Sequence, residues 1–254
     1  MAESGVGGIR MWDDFIGFNI PVAGTLTSLL DPVFTPGGWQ VVGQGLNEAD
    51  SGVVGLSADG VNGVVQLTTT NEDIHSAGFQ TNSGFDMGLN NGIVLEARVR
   101  MAALSARAVF FGLSDVRTAG LQILAGEIID RGGATTVTLT ASDLVGFHFS
   151  SEYTAATDWH GVYNGGTTTG ATTSTDVALS SVATAGEYQI LKRTVNNDGT
   201  ARWYVDGVLK QTQTGAVSTS VDLNALLMVE ANAATIASLD VDYLLLESSR
   251  DWTV

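Results

Sequence analysis

The sequence predicts an all-β sandwich, and three observations carry that prediction. Glycine is abundant (31) and proline rare (3) in 254 residues, which describes many short strands joined by tight turns. Apolar and polar residues alternate with period two, most clearly in "GIVLEARVRM" at 92–101. An Asp206-Gly207 corner joins two further alternating runs; a type I′ hairpin turn needs positive φ at both corner residues, which favours that pair.

Residues 1–14 are Gly-rich without strand alternation and read as a flexible N-terminal arm, followed by one domain over 15–254. "TSLLD" (27–31) and "SVDLNAL" (220–226) carry short helix signals. In 92–101, Val94, Glu96, Arg98 and Arg100 share a wet face, while Ile93, Leu95, Ala97, Val99 and Met101 share the core face. Residues 107–115, 120–130 and 135–143 continue as strands, and the polar tract 164–176 reads as a long loop or β-arm. Then come a strand at 188–195, a turn at 196–199, a strand at 200–205, the Asp206-Gly207 corner and a strand at 208–213. Ala201, Trp203 and Val205 share one face, so Trp203 behaves as a core residue. The closing strand, 237–248, is expected to turn Leu239, Val241, Tyr243 and Leu245 inward and Asp240 and Asp242 outward.

Composition narrows the function. The chain has no cysteine, which excludes a disulfide framework and Cys-based zinc sites. Eleven basic against 27 acidic residues, net −16, argue against nucleic-acid binding, which needs clustered Lys and Arg. The N-terminal residues lack the regions of a signal peptide, and no apolar run approaches membrane-spanning length, so synthesis in the cytoplasm and no membrane partner are expected.

The order of "GGWQVVG", "GVVQLTTTNED", "GIVLEARVRM", "VFFGLSD", "LVGFHFSS", "YQILKRTVNNDGTARWYVDGVLKQT" and "LDVDYLLLESSR" resembles the concanavalin A-like (laminin-G-like) jelly-roll domain, in the version found in virion proteins of tailed bacteriophages. The resemblance spans about residues 34–250; the "YVDG" corner and "DVDY" strand are its most specific parts. It implies a jelly-roll β-sandwich of two antiparallel sheets and a non-enzymatic structural role. That role is capsid decoration: a cement protein bound to the major capsid protein on the outer surface of the virion, where it stabilises the shell. Ile9, Arg10, Met11 and Trp12 of the arm are the expected docking residues, and homo-oligomerisation is expected because capsids offer symmetry axes.

The alternative is a lectin-like module on a phage appendage that binds a host surface glycan. Sugar faces stack on aromatic rings backed by polar groups, and "GFHFSSEYTAATDWHGVYNGG" (146–166) supplies Tyr153, Trp159, His160, Tyr163 and Asn164. The same stretch also reads as sandwich core through Phe147, Phe149 and Trp159. A hydrolase of this fold is the third reading. The glucanases of the superfamily carry a Glu-x-Asp-x-x-Glu strand; here "EIID" (127–130) and "DVDYLLLE" (240–247) fall short of it. The histidines, His75, His148 and His160, are scattered, with only Asp158 near enough to complete a metal set, so no metal site is expected. Calcium is the one cofactor the resemblance leaves open. Its candidate oxygens are Asp13 and Asp14, Asn71, Glu72 and Asp73, or Asn196, Asn197 and Asp198, each equally suited to turn chemistry.

Overall fold

The computed structural model describes residues 2–5, 7–16, 33–43, 53–57, 63–82, 84–90, 92–117, 125–130 and 133–250. Among these, one 3-10 turn (Ala125–Glu127) is the sole helical piece, and the rest is strand and connection. With strands numbered along the chain, the first sheet runs through β1 (Ala2–Gly5), β2 (Gly8–Asp13), β19 (Ser238–Ser249), β8 (Ile93–Arg100), β15 (Tyr188–Val195), β16 (Ala201–Val205) and β17 (Val208–Gln213). β5 (Val65–Thr68) pairs with both β19 and β4 (Val53–Leu56). The second sheet runs through β14 (Ala178–Val182), β13 (Asp158–Asn164), β12 (Leu144–Ser150), β9 (Arg107–Ser114), β18 (Asp222–Ala231), β6 (Ser76–Gln80) and β3 (Gln40–Val42), with β7 (Phe85–Asp86) on β18. β10 (Ile129–Asp130) and β11 (Thr138–Leu139) form a separate ribbon. The two large antiparallel sheets make the jelly-roll sandwich that the sequence predicts.

Alternation builds the core. β8 is buried at every second residue, as read from the sequence, and so is β16, where Trp203 is fully enclosed. Their inward side chains join Phe111, Phe147, Phe149 and Leu227 of the second sheet in one apolar cluster. The Trp203 indole N–H donates to the Gly146 carbonyl at 2.7 Å, so the largest ring of the hairpin is also a polar tie across the sandwich. At the hairpin corner Asp206 and Gly207 have φ of 50° and 78°, as a type I′ turn requires, and the Asp206 carboxylate accepts the Ile190 N–H at 2.8 Å. The register of β16 and β17 shifts between Trp203 and Tyr204, and Lys210 occupies the shift; a bulge and a lysine both discourage pairing at this sheet edge.

The second sheet is buried on both faces. Opposite the main core, Phe110, Leu144, Val162, Leu226 and Met228 form a second cluster, covered by Ile128, Ile129, Val137, Ala141, Tyr153 and Val177. Gly112 and Gly146 face each other across β9 and β12, and the Phe110 ring lies over the pair, where a Cβ on either would collide with it.

Four sequence expectations change. Residues 8–13 are not a free arm: β2 pairs with β19, Met11 is buried, Arg10 pairs with Glu247 at 3.1 Å, and Trp12 stacks on Tyr243 at 5.0 Å. Ile9 packs against the core, so the expected docking residues are held in the sheet. Residues 222–226 are strand, not helix, because β18 lies between β9 and β6, where ladder pairing overrides weak local preference. In 120–143 only Ile129–Asp130 and Thr138–Leu139 are strand among the described residues, the rest being turn and connection. In β19 the register to β8 shifts between Val241 and Tyr243, and the bulge turns Leu244 and Leu246 inward in place of Tyr243 and Leu245. The expected helix at 27–31 lies outside the described residues.

Arg193 is an exception within the core. It is 1% exposed on the inward face of β15, and its guanidinium crosses the sandwich to donate to the Val145 carbonyl. Its Nε and Nη2 have no partner, and burial pulls its pKa down to about 9. A buried cation without an acid is a net cost to the fold. Arg193→Met is expected to stabilise the protein by about 1–3 kcal/mol, read as a higher midpoint of urea denaturation. A lower midpoint would refute this account of Arg193.

Candidate functional site

The residues expected to form a sugar platform are mostly interior. Tyr153, Trp159, His160 and Tyr163 are 3%, 1%, 0% and 7% exposed, and Asn164 alone is half-buried. Trp159 and Tyr163 point into the main core, where Trp159 meets Phe147 and Phe149 edge-on and donates to Gln189 at 3.0 Å. Asn164 donates its amide to the Ala141 carbonyl at 3.0 Å. Tyr153 faces the second cluster. Strand alternation separates these rings onto two faces of one sheet, so they cannot present a common surface.

Tyr153 instead joins two histidines. His148 and His160 are register partners across β12 and β13, and the Tyr153 hydroxyl lies 2.9 Å from His148 Nδ1. The Tyr153 ring stands edge-on to both imidazoles, His160 Nδ1 is 3.3 Å from the His148 carbonyl, and His160 Nε2 is buried without a partner. Burial and then the nearby His160 charge take the His148 pKa down to about 3; burial also lowers His160 and raises the Tyr153 phenol.

The oxygens considered for calcium are engaged in turns and pairs. Asp13 accepts the N–H groups of Phe15 and Gly37, each at 2.9 Å, Asp198 accepts that of Thr200 at 2.8 Å, and Glu72 lies 3.1 Å from His75. Among the described residues no three His, Cys, Asp or Glu side chains group to hold a metal ion.

The outer face of the first sheet is polar and aromatic but internally paired. Arg98 pairs with Asp242, and Arg100 Nε donates to Asp240 at 2.9 Å, with Gln66 on the second oxygen of Asp240 at 2.9 Å. Both guanidinium groups lie over the Tyr188 ring, 4.2 and 4.9 Å from its centre. Tyr243 donates to Glu96 at 2.8 Å, and Lys192 lies 3.5 Å from the same carboxylate. The polar groups of this part of the face are already matched with one another.

The rim of the second sheet is different. A cavity of about 270 Å³ is lined by Gly84, Asp115, Arg117, Asp222 and Asn224. Ser114 and Asn224 are register partners of β9 and β18, so the end of β9 delivers Asp115 and Arg117 beside the start of β18. β7 pairs with β18 at Phe85 and Asp86, which brings Gly84 alongside; a Cβ there would stand 3.1 Å from the Asp222 Cβ. Asn224 is 2% exposed, and its Oδ1 has no hydrogen-bond partner. Asp115, Arg117 and Asp222 are exposed or nearly so, and their side chains form no ion pair or hydrogen bond among the described residues. Behind Asp115, burial and then the Asp115 charge raise the Asp143 carboxyl above its ordinary value. None of these residues forms a local motif: Asp115 and Asn224 are 109 positions apart, and the one local signal is a carboxamide inside the apolar run "DLNALLMVEA".

Two outcomes follow from the interior placement. Trp159→Ala is expected to cost about 3–5 kcal/mol of stability in a denaturant titration; a loss of ligand binding with stability intact would contradict it. An unfolded histidine titrates near 6.5, so as pH falls from there toward 3 the unfolded chain binds protons that His148 in the folded chain refuses. Stability from this source is complete above pH 6.5 and drops by about 1.4 kcal/mol per pH unit below it. Urea midpoints at pH 7, 5.5 and 4 should fall less steeply in His148→Gln; an unchanged slope would exclude His148 as the titrating group.

No protein-family model matches the sequence, and no curated protein does. Among solved structures, the carbohydrate recognition domain of Emp47p is similar with a TM-score of 0.54 and 12% identity, over 87% of this chain and 92% of that one. A protein of unknown function from Shewanella oneidensis MR-1 gives a TM-score of 0.52 at 15% identity, over 100% and 92% of the two chains. The β-glucanase of Bacillus licheniformis gives 0.52 at 12% identity, over 96% and 99%. At these identities the likeness concerns fold alone. It agrees with the two antiparallel sheets: the chain has the concanavalin A-like jelly-roll fold.

Proposed function

We propose that this chain is a non-catalytic, lectin-like module that binds the terminal residue of a glycan in the rim cavity. The observation that supports the reading is the convergence there of Asp115, Arg117, Asp222 and a buried Asn224 whose oxygen has no partner. A carboxamide and two carboxylates accept from sugar hydroxyls, and a guanidinium donates to sugar oxygens. The volume lies near the lower end of small-ligand sites, about 300–1,000 Å³, which suits one sugar residue better than a long chain. The fold is also that of a carbohydrate recognition domain.

Hydrolysis has less support. Retaining cleavage needs a nucleophile and an acid about 5 Å apart across the bond, and the sequence lacks the strand motif that supplies them. The outward positions of β12 hold Gly146, His148 and Ser150, and Tyr153 and its neighbours cover that face. Capsid decoration rests on the resemblance; its expected docking residues, Ile9 to Trp12, stand in a paired strand and not in a free arm. A single small site binds weakly, and a homo-oligomer would raise avidity by multiplying it.

A glycan array probed with the protein multimerised on a carrier should give signal on a restricted set of termini. Asn224→Leu and Asp115→Ala should each weaken binding to the best hit at least tenfold, about 1.4 kcal/mol, with thermal stability retained. Silence across the array, or both variants binding as the parent does, would overturn the reading.

A further inference from the structure

Charge balance in the rim cavity points to a narrower ligand class. Two free carboxylates, Asp115 and Asp222, stand against one guanidinium, Arg117, so the lining carries net negative charge at neutral pH. Asp143 lies behind Asp115, its backbone carbonyl accepting the Asp115 N–H at 3.0 Å. The whole chain, at −16, adds a field that concentrates cations near its surface. Acidity by itself would describe only a solvated rim. The second observation is Asn224: its carboxamide is enclosed at 2% exposure, its oxygen has no partner, and it lines the same cavity. A buried acceptor without a partner is costly unless something supplies a donor.

Resting on the glycan reading above, we infer that the cavity selects a sugar bearing a protonated primary amine, a hexosamine with its nitrogen unacetylated. The ammonium group supplies three donors and one positive charge, matching Asp115, Asp222 and the Asn224 oxygen. Arg117 is the complementary donor, for a ring or hydroxyl oxygen of the same residue. Acetylation of the amine removes the charge and two donors, leaving the carboxylates desolvated without a counter-charge. A neutral hexose supplies hydroxyl donors but no charge, so it binds less well. Arg117 on the wall separates this arrangement from a bare cation site, as does the lack of a third carboxylate among the described residues of the lining.

The test titrates the full chain, by protein-observed NMR or calorimetry, with glucosamine, N-acetylglucosamine, glucose, propylammonium and calcium chloride in turn. Glucosamine is expected to bind at least tenfold more tightly than any of the other four. Asp222→Asn, a change at an exposed position that keeps an acceptor oxygen and removes the charge, should cost glucosamine at least fivefold and lower its preference over glucose. Binding of glucosamine should also weaken as the pH is raised through the amine's titration. Equal binding of glucose or N-acetylglucosamine would overturn the ammonium inference and leave the glycan reading standing. Equal binding of propylammonium, or displacement of glucosamine by calcium, would assign the cavity to simple cations and overturn it. No binding of any of the three sugars together with a silent array would remove both readings.

Discussion

The twelve residues of β19 are the constraint on which the first sheet depends. One edge pairs with β8 along most of its length, while the other edge is divided, β5 taking Ser238–Val241 and β2 taking Leu244–Ser249. The bulge at Asp242 falls between these two halves. It lets Leu239 and Val241 face the core before it and Leu244 and Leu246 after it, and it twists the strand where its partner changes. Without it, strict alternation would bring Tyr243 and Leu245 inward and put Leu244 and Leu246 in water. The N-terminal strand is therefore placed by a distant segment, and its residues join the sheet instead of remaining a free arm.

Partnership of polar groups separates architecture from site. On the outer face of the first sheet the charges of β2, β8, β15 and β19 pair across strands: Arg98 with Asp242, Arg100 with Asp240, Lys192 with Glu96, Arg10 with Glu247. Tyr188 and Trp12 are covered by those same arginines. Half-exposed pairs of this kind contribute modestly to stability, and the groups within them are already matched. At the rim of the second sheet the situation is reversed, with four polar side chains from two stretches of chain meeting without partners among the described residues. Among them the Asn224 oxygen is the telling one, because folded proteins rarely leave a buried acceptor unmatched.

The second sheet bears apolar side chains on both faces, which explains why its strands read as near-continuous hydrophobic runs in β9, β12 and β18. Its outer face is sealed by the chain between β9 and β12 and by Tyr153, with His148 and His160 neutral beneath the seal. At the rim, beside this covering, β9 and β18 open into the cavity. Arg193, reaching across the main core to β12, is a polar intrusion that nothing in the proposed site explains.

The sequence by itself determined the fold class, the core faces of β8 and β16 and the Asp206-Gly207 corner, because these depend on local alternation and on the φ demands of a two-residue turn. It also located the aromatic residues of 146–166 without deciding which were core, since a strand buried on both faces loses its period. Tertiary structure alone decided the pairing of Gly8–Asp13 with β19, the strand at 222–226 and the parity reversal at Asp242. Each is a long-range hydrogen-bonding choice that overrides weak local preference. The rim cavity belongs to the same class. Gly84, Asp115 and Asn224 carry no shared motif, and only the register of β7, β9 and β18 brings them to one wall, because strand pairing joins residues that the chain itself keeps far apart.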